Sequence, residues 1–82
     1  MPYQVSLIIP AWNAENTISD CIISAIKAKG SPSEIIVVDD CSNDKTMSIV
    51  KNLANDYPII KLIHLKNNLG PAAARDFGVN AS

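Results

Sequence analysis

Two adjacent carboxylates, Asp39 and Asp40, close a run of four aliphatic β-branched residues, Ile35-Ile36-Val37-Val38. Such a run reads as a strand buried on both faces. A buried strand would ordinarily leave the core through neutral turn residues. Here it meets two acids instead, at the strand end where open parallel α/β sheets bind their ligands. Carboxylates in that place are acceptors for a ligand's hydrogen-bond donors.

The other side chains able to do chemistry are few. His64, in an outer strand, is expected to be a surface or half-buried polar residue. Cys21 falls on the apolar side of a predicted helix and reads as a small core residue. Cys41 lies in a loop. Two cysteines without zinc-type spacing make neither a disulfide scaffold nor a zinc site, and both fit a reducing cytoplasm. No Gly-x-Gly-x-x-Gly or Walker pattern is present to cradle a phosphate.

The elements that must position these groups follow from periodicity. Val5 to Ile9 reads as a first buried strand, stopped by Pro10, which cannot donate to a ladder. Asn13 is placed as the N-cap of a helix whose Ile18, Ile22, Ala25 and Ile26 recur at helical spacing. Lys27 and Lys29 fall in its last turn, Gly30 supplies a left-handed C-cap, and Ser31-Pro32-Ser33 connects to the acid-ended strand. Ser42 or Asp44 caps a second helix striped by Met47, Val50, Leu53 and Ala54, ended by Tyr57-Pro58. Ile59 to Leu65 is a third strand, with Lys61 and His64 pointing to the sheet edge. After the polar turn 66–70, Pro71 suits the first position of a third helix.

The order is β-α-β-α-β-α: an α/β, three-layer, Rossmann-like arrangement with the acid-ended strand central in a parallel sheet. At 82 residues the chain makes one small domain, and 48% hydrophobic residues fit a globular one. A net charge of −1 leaves no basic face for nucleic acid. The apolar run Val5 to Trp12 is interrupted by Ser6 and Pro10 and has no basic leader, so neither a signal nor a spanning helix is expected within these residues.

Three blocks follow one another in this frame: 5–15 (Val-Ser-Leu-Ile-Ile-Pro-Ala-Trp-Asn-Ala-Glu), 34–46 (Glu-Ile-Ile-Val-Val-Asp-Asp-Cys-Ser-Asn-Asp-Lys-Thr) and 68–78 (Asn-Leu-Gly-Pro-Ala-Ala-Ala-Arg-Asp-Phe-Gly). Together they resemble the N-terminal part of family 2 glycosyltransferases, the inverting enzymes with the GT-A fold. The resemblance implies that residues 1–82 are the truncated nucleotide-sugar-binding part of such a domain. Pro10, Ala11 and Trp12 would line the nucleotide pocket. Asp39 would take the base, usually uracil, because a carboxylate accepts from an imide N–H and rejects a base lacking that donor. Asp40 belongs to the same nucleotide-binding set, although it and Asp44 also suit ordering the turn and capping the helix. Arg75 has two readings, contact with base or phosphate, and pairing with Asp39 or Asp76. Asp76 stands where the family usually has Asn. Trp12 is open between stacking on a base and packing under the first helix.

The family's metal-binding Asp-x-Asp and catalytic base come later than these blocks, and neither is in the 82 residues. A divalent metal (Mg or Mn) is therefore expected in the full-length parent and none in this fragment, which is expected to be inactive alone. The expected partner is a UDP-linked sugar. The location is expected to be cytoplasmic, with membrane association of the parent open. In the family the first strand pairs on its other side with a fourth. The resemblance therefore implies an unpaired, uncharged edge on Val5 to Ile9 here, and with it a homodimer, by first strands side by side or by exchange of the C-terminal helix. A phospho-receiver fits less well, since its acid should end the third strand, where His64-Leu65-Lys66 stands. A dinucleotide-binding half would need the missing glycine pattern. A plain interaction module is the other alternative.

Overall fold

The computed structural model describes residues 5–28, 30 and 32–81. Six elements alternate: β1 (Ser6–Ala11), α1 (Ile18–Lys27), β2 (Glu34–Asp39), α2 (Thr46–Asp56), β3 (Ile60–His64) and α3 (Pro71–Ala81). The strands form one parallel sheet in the order β1-β2-β3. The α/β class, the parallel sheet and the central place of β2 are as expected.

β2 is central because nothing else in the chain is as continuously apolar. Ile35, Ile36, Val37 and Val38 are all fully buried. Alternation along the strand sends them to two faces. Ile35 and Val37 pack with Ile18 and Ile22 of α1, Val50 of α2 and Ile60 of β3. Ile36 and Val38 pack with Leu65 and with Ala74 of α3, flanked by Ile8 and Ile63. The sheet is thus the middle of three layers. Each buried aliphatic side chain contributes roughly 1.5–3 kcal/mol over an exposed one. That is a large share of the ~4–12 kcal/mol net stability expected at this length.

α3 lies very close to the sheet. A Cβ built on Gly78 would meet side-chain carbons of Ile8 and Val38, so the absence of one is what lets the helix sit down on β1 and β2. At the opposite end of the sheet, Glu34 accepts from Ser6 Oγ at 2.6 Å and pairs with Lys61 at 3.0 Å. The Ser6 hydrogen bond, then that from Lys61, holds the Glu34 carboxyl below its ordinary pKa.

Four expectations are corrected. Pro10 does not stop β1, which continues to Ala11 with Pro10 paired opposite Val38. The carbonyls of Val5 and Ala11 point to the β2 side. In a parallel ladder every second residue bonds to a given neighbour. Pro10 therefore turns its nitrogen to the outer edge, where no donor is required among the described residues. Asn13 is not the N-cap: α1 starts at Ile18 after a turn over 14–17, and Asn13 serves the neighbouring loop. Cys21 is exposed, one position off the Ile18–Ile22 stripe, and is not a core residue. Gly30 is left-handed, with φ of +75°, but it is not the C-cap of α1, which is Ala28 in an extended conformation two residues earlier. The placements of Lys29 and Ser31 lie outside the described residues.

Candidate functional site

The sheet register sets the last residues of all three strands in one row, Ala11 opposite Asp39 and Asp39 opposite His64. Asp39 is fully buried. Its Oδ2 accepts the Ser42 N–H at 3.1 Å and a bond from His64 Nδ1 at 3.1 Å. An acceptor on the carboxylate requires that His64 carry a proton on Nδ1. The other oxygen, Asp39 Oδ1, is buried without a hydrogen-bond partner. Buried polar atoms are satisfied almost everywhere in folded proteins, so this one needs an explanation.

Asp40 points to the opposite face, as the next residue of an extended chain must. It is only 3% exposed. Its Oδ1 accepts the Leu69 N–H at 2.7 Å and its Oδ2 the Gly70 N–H at 2.8 Å, which fastens the chain just before α3. Gly70 has φ of +91°, a left-handed turn that favours glycine, and its carbonyl accepts from Ala74 in the first turn. With its amide in the orientation that satisfies both neighbours, Asn68 donates to Asp40 Oδ2 at 3.2 Å. In that orientation its oxygen accepts from Trp12 Nε1 at 2.8 Å. Trp12, with 54% of its surface exposed, is thereby held upright and does not pack under α1.

These groups border a cleft of about 220 Å³ lined by Pro10, Ala11, Trp12, Asp40 and Pro71. Its walls are mostly apolar. Drug-sized ligands occupy sites of about 300–1,000 Å³, so this one suits a single flat ring and not a whole nucleotide sugar.

The mouth is fixed from below by two stitched loops. Asn13, at φ of +47°, accepts the Asn43 N–H on Oδ1 at 2.8 Å and donates its own N–H to Ser42 Oγ at 2.9 Å. Thr46 Oγ1 accepts the Ala14 N–H at 2.8 Å. Asp44 accepts the Glu15 N–H at 3.2 Å and the Thr46 N–H at 2.9 Å, so Asp44 and not Ser42 serves the start of α2. Burial alone would raise the Asp44 carboxyl. The hydrogen bonds from the Thr46 hydroxyl and from the Thr46 and Glu15 N–H groups outweigh it and hold the pKa below the ordinary value. Cys41 sits in the loop at φ of +60°, its Sγ donating to the Lys66 carbonyl at 3.4 Å.

Four of the residues expected at the site, Pro10, Ala11, Trp12 and Asp40, are brought together around the cleft. Asp39 lies beside it, across the ladder from Ala11, but not on its lining. Arg75 is exposed on α3 and takes part neither in the Lys61–Glu34 ion pair nor in the His64–Asp39 hydrogen bond. The pairing of Arg75 with Asp39 or Asp76 is therefore not what the structure holds. Pro71, Asn68 and His64 were not expected at the site. His64 was findable, since two parallel strands ending together set their last residues side by side. Nothing in the sequence signals where the Asn68 amide bonds. Among the described residues no group of three or more His, Cys, Asp or Glu side chains could hold a metal ion. The expected divalent cation has no ligand set in them.

Comparison with known proteins agrees with the fold. The profile of Glycosyl transferase family 2 matches residues 6–82. The succinoglycan biosynthesis protein ExoO of Rhizobium meliloti is 38% identical over 78 residues, 95% of this chain and 22% of that protein. The S. aureus TarS 1-349 structure in complex with UDP superposes with a TM-score of 0.85 at 32% identity, over 98% of this chain and 24% of that one. The mannosyltransferase PcManGT from Pyrobaculum calidifontis, solved with GDP-Man and Mn2+, gives 0.79 at 25% identity, over 99% and 25%. The chain thus spans about a quarter of the length of the proteins it matches.

Proposed function

The chain belongs to glycosyl transferase family 2, and from that premise we propose that its strand-end cleft receives the base of a nucleotide-sugar donor. The observation that carries the reading is the orphaned Asp39 Oδ1, buried at the strand end directly across the ladder from Ala11 of the cleft lining. A buried acceptor without a partner costs about 1–3 kcal/mol, more for a charged group. A ring N–H from a ligand removes that cost. The N3–H of uracil and the N1–H of guanine can both provide it, whereas cytosine offers an acceptor at N3. Trp12 gives the ring a face to stack on, worth about 1–3 kcal/mol per base.

Within this reading UDP-linked sugars are the donors, in line with the UDP bound by the TarS structure. Oδ1 is shielded in the free chain, so binding includes a small opening of the strand-end loops. Asp40, its oxygens already engaged, holds the cleft wall and does not read the base. Arg75 is left available for base or phosphate. The whole protein transfers the sugar with inversion, its divalent cation held by residues other than those described. The 82 residues are its donor-binding portion and do not transfer by themselves. The two free thiols suit a cytoplasmic setting. No helix among the described residues is long and apolar enough to cross a membrane. A second copy of the chain pairs along the unpaired outer edge of β1, and light scattering that shows only monomer at high concentration removes this part of the reading.

Calorimetric titration with UDP, GDP and CDP tests the base assignment. The 82-residue chain should bind UDP near the millimolar range, about 4 kcal/mol, and prefer it to CDP by roughly 10–100-fold, the worth of one charged hydrogen bond. Asp39→Asn should remove that preference. Equal binding of UDP and CDP by the unaltered chain, or a preference that survives Asp39→Asn, overturns the assignment.

A further inference from the structure

We propose that His64 is a positioning residue for base selection, holding the Asp39 carboxylate so that one defined oxygen is left for the ligand. This rests on the base-reading role of Asp39. The argument starts from the asymmetry of that carboxylate. Both of its bonds fall on Oδ2, from Ser42 N–H at 3.1 Å and His64 Nδ1 at 3.1 Å, and none falls on Oδ1. A carboxylate rotates freely about its last bond unless its oxygens are made unequal. The Ser42 amide comes from the loop that follows β2, three residues along the same chain. His64 comes from β3, 25 residues away, and stands directly opposite Asp39 in the ladder.

Two donors converging on one oxygen, one from the loop after β2 and one from β3, define the plane of the group. With only the Ser42 bond, either oxygen could take it, and the free acceptor would no longer have a single direction. A ring N–H is read only by an acceptor correctly aimed at it, because hydrogen bonds weaken steeply with angle. His64 also suits the task by its exposure. Its side chain is 44% exposed while that of Asp39 is fully covered, so one ring nitrogen reaches in and the ring stays hydrated. A lysine there would bring a flexible point charge, and a carboxylate would repel Asp39. The role is one of orientation: His64 is not on the cleft lining and acts on the base through Asp39.

The test compares UDP and CDP affinities of the 82-residue chain across three variants. In His64→Val, chosen because a β-branched residue suits an edge strand, the UDP-over-CDP preference should fall roughly tenfold. UDP affinity itself should fall less. In His64→Asn, whose amide nitrogen reaches about as far as Nδ1, the preference should return. Asp39→Asn should abolish it whatever stands at 64. A His64→Val chain that keeps the full preference overturns the positioning role and leaves the base reading intact. Loss of preference in neither His64→Val nor Asp39→Asn removes both. Should His64→Val fail to fold, ¹⁵N spectra of the unaltered chain at pH 8 decide the matter. The ring must carry its proton on Nδ1, and an Nε2–H tautomer overturns the inference.

Discussion

Replacing Gly78 by alanine puts a methyl group between α3 and the strands beneath it. The new Cβ would fall well inside 3.0 Å of Ile8 Cγ2 and 3.2 Å from Val38 Cγ2. Non-bonded carbons settle at about 3.5–4.0 Å, so helix and sheet must part by at least about 0.5 Å at this point. Ile8 cannot swing aside easily, because a β-branched side chain has few χ1 wells. Overpacking of this kind costs about 1–3 kcal/mol. Alanine returns about 0.8–1.0 kcal/mol of helix propensity. The net is a loss of up to about 2 kcal/mol, and each 1 kcal/mol lowers Tm by about 4–8 °C in a domain of this size. Urea and thermal unfolding followed by far-ultraviolet circular dichroism measure it. The decisive control is Ile8→Ala, which removes the opposing Cγ2. In that background Gly78→Ala should change sign and stabilise. If Gly78→Ala raises Tm in the native background, or acts alike in both, the close seat of α3 is not what the glycine provides.

Asp40→Ala leaves the Leu69 and Gly70 N–H groups without their acceptor and should destabilise by about 1–3 kcal/mol, read as a shift in the urea midpoint. Asn68→Ala frees the indole of Trp12, the sole tryptophan. A red-shifted and more quenchable fluorescence is expected, with a stability loss of about 1 kcal/mol. Because the folded Asp44 carboxyl titrates below its ordinary value, its contribution is complete above about pH 3.9 and is lost as the pH falls through the lower, folded value. The Tm difference between the native chain and Asp44→Asn should therefore shrink in acid, and a constant difference from pH 6 to 2.5 would contradict the hydrogen-bonded carboxylate. Arg75→Ala should change stability by no more than about 0.5 kcal/mol, since no ion pair holds the side chain, while weakening nucleotide diphosphate binding in calorimetry.

The elements were legible where one physical signal dominates. Four β-branched residues in a row leave β2 no place but the middle of the sheet, and Pro71 opens α3 as its fixed φ predicts. Pro10 was misplaced because its effect depends on which side of the ladder its nitrogen faces, and that is a property of the pairing. Asn13 suited a cap by type, but its side chain was claimed by the Asn43 N–H of a loop 30 residues distant. The paired acids carried a lesson within reach of the sequence. Neighbours in an extended chain point to opposite faces, so Asp39 and Asp40 were never able to serve one pocket in the same way. One turned to the row containing His64, the other to the α3 face, and only the packed structure says which oxygens each has left over.

Pro10 sets a limit on any strand that joins the sheet from outside. Along that flank of β1, Ser6 and Ile8 have amide hydrogens to offer an incoming chain, and the next position, level with Val38, has none. A newcomer can zip alongside for two donors and must then let go. It is released one residue short of Asp39, so the sheet splits open beside the strand-end cleft instead of sealing it.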